Sequence, residues 1–172
     1  MSSRASIVLV ALALAGVPAC SSTPATGASL TATFTQALSP ANEVPAATGA
    51  ETSASGNATI TLTYSQDSAG NVTSATANFQ VSLSGFPATT VITMAHIHQA
   101  AVGVSGAIVV DTGLASGTVT LTNGAGSFTR SSINVPSTIA QQMLTNPAGF
   151  YFNVHTVANP SGVARGQLVR TQ

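Results

Sequence analysis

His96 and His98, one residue apart in the run Met94-Ala95-His96-Ile97-His98, and His155 in Tyr151-Phe152-Asn153-Val154-His155-Thr156 are the three histidines of the chain. Neutral imidazole is the commonest metal ligand, and two histidines in a His-x-His strand point to the same side, close enough for one ion to bridge. On the second run Tyr151, Asn153 and His155 share one side, while Phe150, Phe152 and Val154 share the other. Packing the apolar side into a core turns His155 outward. If the two strands are neighbours, three imidazoles converge. Three histidines with an open position suit zinc or copper, and the affinity order of the divalent ions favours copper.

The same residues admit two other readings: a hydrogen-bonded polar cluster that joins strands without a metal, and a metal-free catalytic site. Glu43 and Arg165 belong to either picture, with Asn153 beside them. Glu43 can serve as a fourth ligand, as an acceptor that fixes a histidine tautomer, or as the charge-assisted partner of Arg165; the ion pair is the reading adopted here. Glu51 and Asp67 stand in loop-like or turn-like surroundings and are expected to be solvated. Asp111, closing Ala107-Ile108-Val109-Val110-Asp111, fits more than one role.

Strands must position these side chains. Ala58, Ile60, Leu62 and Tyr64 alternate with Asn57, Thr59, Thr61 and Thr63, and a turn cluster at 66–71 follows. Ala75, Ala77, Phe79, Val81 and Leu83 then alternate with polar residues, so the two runs read as a β-hairpin. Further short runs at 91–97, 106–111, 117–122, 127–132, 149–157 and 163–170 are bounded by Gly, Pro or Asn. Such spacing, with Thr and Val abundant, predicts a sandwich or barrel. Residues 137–145 alone read as helical: Pro136 precedes them, and Ile139, Met143 and Leu144 share a face. The expected fold is all-β, with one short helix.

Only 5% of the residues are charged, four Arg balancing four acids with no Lys, which leaves no footprint for nucleic acid. A phosphate-binding Gly-Lys loop and a Gly-x-Ser-x-Gly elbow are both missing. Paired carboxylates for glycoside hydrolysis would need two of the four acids to meet, which no spacing suggests.

The N-terminus reads as an export signal. Arg4 precedes an apolar run from Ile7 to Ala15, too short to span a bilayer, and Val17-Pro18-Ala19-Cys20 resembles a bacterial lipobox. Residues 1–19 are thus expected to be a signal peptide. Cys20, the one cysteine, is expected to carry lipid, which closes off thiol catalysis and disulfides. Acyl chains would hold the protein to a membrane outside the cytoplasm, in the cell envelope. Residues 20–28 form the lipidated cysteine and a flexible tether, and 29–172 one domain. Ser21 carries no acidic inner-membrane retention signal, so an outer-membrane or periplasm-facing position is expected in a Gram-negative cell.

Several motifs recur in a familiar order. Ser39-Pro40-Ala41-Asn42-Glu43-Val44-Pro45, Ala95-His96-Ile97-His98-Gln99-Ala100-Ala101 with Gly106-Ala107-Ile108-Val109, and Tyr151-Phe152-Asn153-Val154-His155-Thr156 with Asn159-Pro160-Ser161-Gly162 and Arg165-Gly166-Gln167-Leu168 together resemble the CHRD domain, named for chordin. Gln99-Ala100 stands where that family often has Gly-Pro, and Val163 where an acidic residue is usual. The resemblance covers nearly all of the mature chain and implies an exported bacterial domain, without naming an activity. A His-x-His strand with a distant third histidine in a Greek-key sandwich also resembles the copper site of copper/zinc superoxide dismutases, an immunoglobulin-like architecture. Three histidines cannot supply both metals of such an enzyme, so dismutase chemistry is the weakest reading. Two functions stay open: an anchored module binding one metal, copper before zinc, and a structural or adhesive module contacting protein or matrix.

Overall fold

Alternation of apolar side chains with Thr, Ser and Asn builds two antiparallel sheets that share one core. The structure, a computed structural model, describes residues 28–172, so the signal-peptide and Cys20 readings, and nearly all of the tether, lie outside the described residues. In chain order come β1 (Leu30–Leu38), β2 (Ser55–Gln66), β3 (Val72–Ser84), β4 (Val91–Gln99), β5 (Ala107–Asp111), β6 (Val119–Thr120), β7 (Gly126–Asn134), α1 (Ser137–Thr145), β8 (Phe150–Thr156) and β9 (Ala164–Gln167). One sheet has the order β1-β2-β3-β7; the other runs β5-β4-β8-β9, with β6 on β4.

The predicted hairpin is β2–β3, whose register pairs Ile60 with Phe79 and Leu62 with Ala77. Those inward side chains are fully or almost fully buried. Phe79 of one sheet meets Phe152 of the other with ring centroids 5.8 Å apart, which fixes the middle of the sandwich. The helix has the predicted bounds, but its most buried residues are Ala140 and Met143, with Ile139 and Leu144 at the edges. The packed face is therefore turned slightly from the expected one.

β1 has no counterpart among the predicted runs, although Ala32, Phe34, Gln36 and Leu38 alternate inward against Thr31, Thr33 and Thr35. It closes the fold. The C-terminal segment returns beside it: Thr35 N–H donates to Val169 O at 2.9 Å, Thr171 N–H to Thr33 O at 2.8 Å, and Ser39 pairs with Arg165. That return joins the two sheets along one seam.

The long connection from β1 to β2 is pinned from inside. Glu51, expected to be solvated, is 5% exposed. Its Oε2 accepts from Thr156 Oγ1 at 2.6 Å and from Asn159 Nδ2 at 2.7 Å, and Asn159 Oδ1 accepts from the Thr48 amide at 2.9 Å. A carboxylate can be buried at tolerable cost because two short charge-assisted bonds replace water. Glu51→Ala leaves two buried donors without an acceptor and should destabilise the chain by about 2–4 kcal/mol in urea unfolding. A loss within experimental error would show that the clamp contributes nothing.

Candidate metal centre

Strand register assembles the site. β4 and β8 are antiparallel neighbours, with His96 opposite Asn153, His98 opposite Tyr151, and Met94 opposite His155. Paired residues share a sheet face, so all six project from the side away from the sandwich core, while Ala95, Ile97, Phe152 and Val154 fill that core. β5 adds Asp111 opposite His96, and β9 adds Arg165 opposite Asn153. The three histidines do turn outward from the core, as the alternation predicts. They do not reach solvent, being 3%, 8% and 5% exposed in chain order.

Their ring nitrogens are aimed at one another. His98 Nδ1 lies 2.9 Å from Gly106 O, and His155 Nδ1 lies 3.0 Å from Pro160 O. A carbonyl only accepts, so both Nδ1 atoms carry the proton and both Nε2 atoms are bare. His98 Nε2 has no hydrogen-bond partner among the described residues. His155 Nε2 faces His96 Nδ1 at 3.2 Å and Asn153 Oδ1 at 3.0 Å. One ligand nitrogen from each ring lies within 4.8 Å of the other two, so the three-histidine group is positioned to hold a metal ion. Tetrahedral bonds of about 2.0–2.1 Å need nitrogens roughly 3.4 Å apart; His96 Nδ1 and His155 Nε2 lie at 3.2 Å, and all three ligand nitrogens within 4.8 Å.

Electrostatics keep the rings ready to ligate. Burial lowers the proton affinity of all three: His96 is held down to about 4, by burial first and then by His155 and His98, against the pull of Asp111. His98 and His155 are lowered by burial too, partly offset by the carbonyls of Gly106 and Pro160. Near neutral pH the cluster is therefore uncharged, the form that binds metals.

Arg165 ties down the segment between β4 and β5. Its guanidinium is essentially fully buried, donating from Nη1 to Val104 O at 2.9 Å and from Nη2 to Ala101 O at 3.0 Å. Its Cζ sits 3.3 Å from the centroid of Tyr151, whose other neighbour is the parallel ring of His98 at 4.7 Å. The segment between β4 and β5 is thereby tied to the ring that flanks a ligand candidate. This replaces the expected Glu43–Arg165 ion pair, as no carboxylate oxygen lies within 4.0 Å of Arg165 among the described residues. Backbone carbonyls and an aromatic face satisfy the guanidinium instead.

Glu43 is 5% exposed, with Oε1 unpartnered among the described residues and its carboxyl packed on Gly162. It is outside the group of converging ligand atoms. Burial raises its pKa to about 7, against the lowering effects of Asn153, Arg165 and the Val44 amide. Asp67 holds its own turn, accepting from the Ala69 and Asn71 amides, in the exposed position expected for it. Asp111 reaches His96, Oδ1 to Nε2, at 3.8 Å. The sequence offered no sign of the Arg165 anchor or of the buried Glu51; both depend on loops folding back over the sheet.

Glu43 and the histidines have opposite effects on acid stability. Glu43 is raised in the fold, so its contribution is complete below 4.5 and is lost as pH rises through about 7. The histidines are lowered, so theirs is complete above 6.5 and is lost on acidification, for His96 down to about 4. Glu43→Gln should therefore stabilise the metal-free protein by about 1–3 kcal/mol near pH 8 and change little near pH 4. Urea unfolding at the two pH values checks this, and equal stability of variant and wild type near pH 8 would refute it.

The CHRD domain family model matches residues 34–168, a span containing all three histidines together with Glu43, Asn153 and Arg165. No curated protein and no solved structure gives a match to the chain. From the length of that match, the chain belongs to the CHRD domain family.

Proposed function

We propose that this CHRD-domain protein is an exported lipoprotein of the cell envelope that holds a single transition-metal ion through His96, His98 and His155. One observation carries the reading: bare nitrogens converge in a buried nest with an amide oxygen among them, and His98 Nε2 has no donor facing it among the described residues. Electron-rich atoms packed this way repel one another, and a cation relieves the repulsion. Copper is the favoured ion and zinc the next, following the affinity order for imidazole sites. When bound, either would supply Lewis-acid character, and copper one-electron redox as well.

The chain's own residues would provide orientation and exclusion of water. Gly106 and Pro160 carbonyls orient two rings, Tyr151 flanks His98, and Arg165 ties the segment between β4 and β5 to Tyr151. A second metal has no comparable ligand set among the described residues, which argues against a two-metal dismutase site. The other reading is a structural or adhesive module whose metal-free cluster is a hydrogen-bond network; the 3.2 Å His96–His155 contact supports it, because one proton on His96 Nδ1 would make it an ordinary hydrogen bond.

Titration of the detergent-purified protein with Cu(II) and Zn(II), against a competing chelator, tests the metal reading. Wild type should bind with submicromolar affinity, copper more tightly than zinc, and the triple variant His96→Ala, His98→Ala, His155→Ala should lose roughly 100-fold or more. Failure of wild type to bind either ion, or equal binding by the variant, would leave the structural cluster. For the anchor, labelled palmitate supplied to expressing cells should be incorporated by wild type and not by Cys20→Ala. An unlabelled wild type would remove lipidation from the reading.

A further inference from the structure

His98 and His155 each have a backbone carbonyl that sets the tautomer, at 2.9 Å and 3.0 Å respectively. His96 has no such carbonyl among the described residues. Its two ring nitrogens face His155 Nε2 at 3.2 Å from Nδ1 and Asp111 Oδ1 at 3.8 Å from Nε2. The other three acids are engaged elsewhere: Asp67 in its own turn, Glu51 with Thr156 and Asn159, and Glu43 beside Asn153 and Gly162.

Asp111 is also built into place. It stands directly opposite His96 in the β4–β5 register, and its Oδ1 accepts from the Gly113 amide at 2.8 Å. The turn that carries this amide is braced twice. Arg130 donates to Thr112 O at 2.9 Å and to Gly113 O at 3.0 Å, while Thr112 Oγ1 donates to Ala95 O at 2.8 Å, next to His96 in the chain. Gly113 has φ +64°, a backbone conformation that suits glycine.

We infer that Asp111 is a positioning residue for His96: its carboxylate keeps the imidazole proton on Nε2, so that Nδ1 faces the ion and the donor set is one Nδ1 and two Nε2. This rests on the metal reading above for its last clause and on geometry alone for the first. A separation of 3.8 Å is too long for a hydrogen bond, so the carboxylate acts through its field on the N–H dipole. The opposite tautomer would turn a lone pair toward a carboxylate oxygen. It would also put a proton on Nδ1, between His96 and His155, where the metal must sit. A carboxylate behind a ligating histidine commonly plays this part, orienting the ring and raising its basicity.

Histidine-selective ¹⁵N labelling and long-range ¹H–¹⁵N correlation spectra near pH 7.5 read each tautomer directly, metal-free and after zinc loading. In the metal-free wild type, His96 should show a protonated Nε2 and a bare Nδ1, while His98 and His155 show the reverse. Zinc should then shift Nδ1 of His96 and Nε2 of the other two. Asp111→Asn should return the His96 proton to Nδ1 and weaken zinc binding by about 10-fold or more, with unfolding little changed because the Asp111 side chain is largely exposed.

Wild-type His96 protonated on Nδ1 overturns the proposal, as does an Asp111→Asn variant with unchanged tautomer and zinc affinity. A wild type that keeps an Asp111-dependent Nε2 proton yet takes up no metal upholds the positioning and overturns the metal reading alone.

Discussion

Everything about the histidine cluster depends on the antiparallel register between β4 and β8. That register sets His96 against Asn153 and His98 against Tyr151, and the period of a strand does the rest. A slip of one residue would carry Asn153 and His155 into the apolar core and bring Phe152 and Val154 out beside the imidazoles. The hydrophobic surface of Phe152, packed on Phe79, opposes such a slip. Core packing on one face of the sheet thus specifies the chemistry on the other.

A second constraint follows from burial. Imidazoles, a guanidinium and two carboxylates lie together under loops, where unmet polar groups are costly. Most are met: Arg165 by the Ala101 and Val104 carbonyls, Glu51 by Thr156 and Asn159, and two ring N–H groups by Gly106 and Pro160. Two of the exceptions lie close together. His98 Nε2 and Glu43 Oε1 both belong to groups that neighbour Asn153, while the other buried side chain without a partner among the described residues, the Gln36 amide, lies on β1.

How much of this was legible in the sequence varied with how local the cause is. The β2–β3 hairpin, the helix at 137–145 and the shared face of the histidines follow from periodicity and turn residues, which act over a few positions. β1 carries an equally regular alternation but lies between a tether and a Pro-rich stretch, where its Thr-rich polar face and the buried Gln36 blur the pattern. Glu51 reads as an ordinary loop acid because its partners, Thr156 and Asn159, are more than a hundred residues away. The partner of Arg165 was misread for a related reason. Charge complementarity suggests pairing Arg165 with an acid such as Glu43, whereas the fold offers it carbonyls that have no side-chain signature.

The seam between β1 and the C-terminal segment gives the domain a direction. Thr33, near the start of β1, pairs with Gln172, and Ser39, just past the end of the strand, pairs with Arg165, next to the histidines. Nine residues of extended chain span about 30 Å. Whatever precedes Leu30 therefore joins the domain at one pole while the imidazoles lie toward the opposite pole. A surface that holds the N-terminus would display the histidine end outward, so traffic of ions or partners to it would come from the bulk compartment rather than from the surface itself.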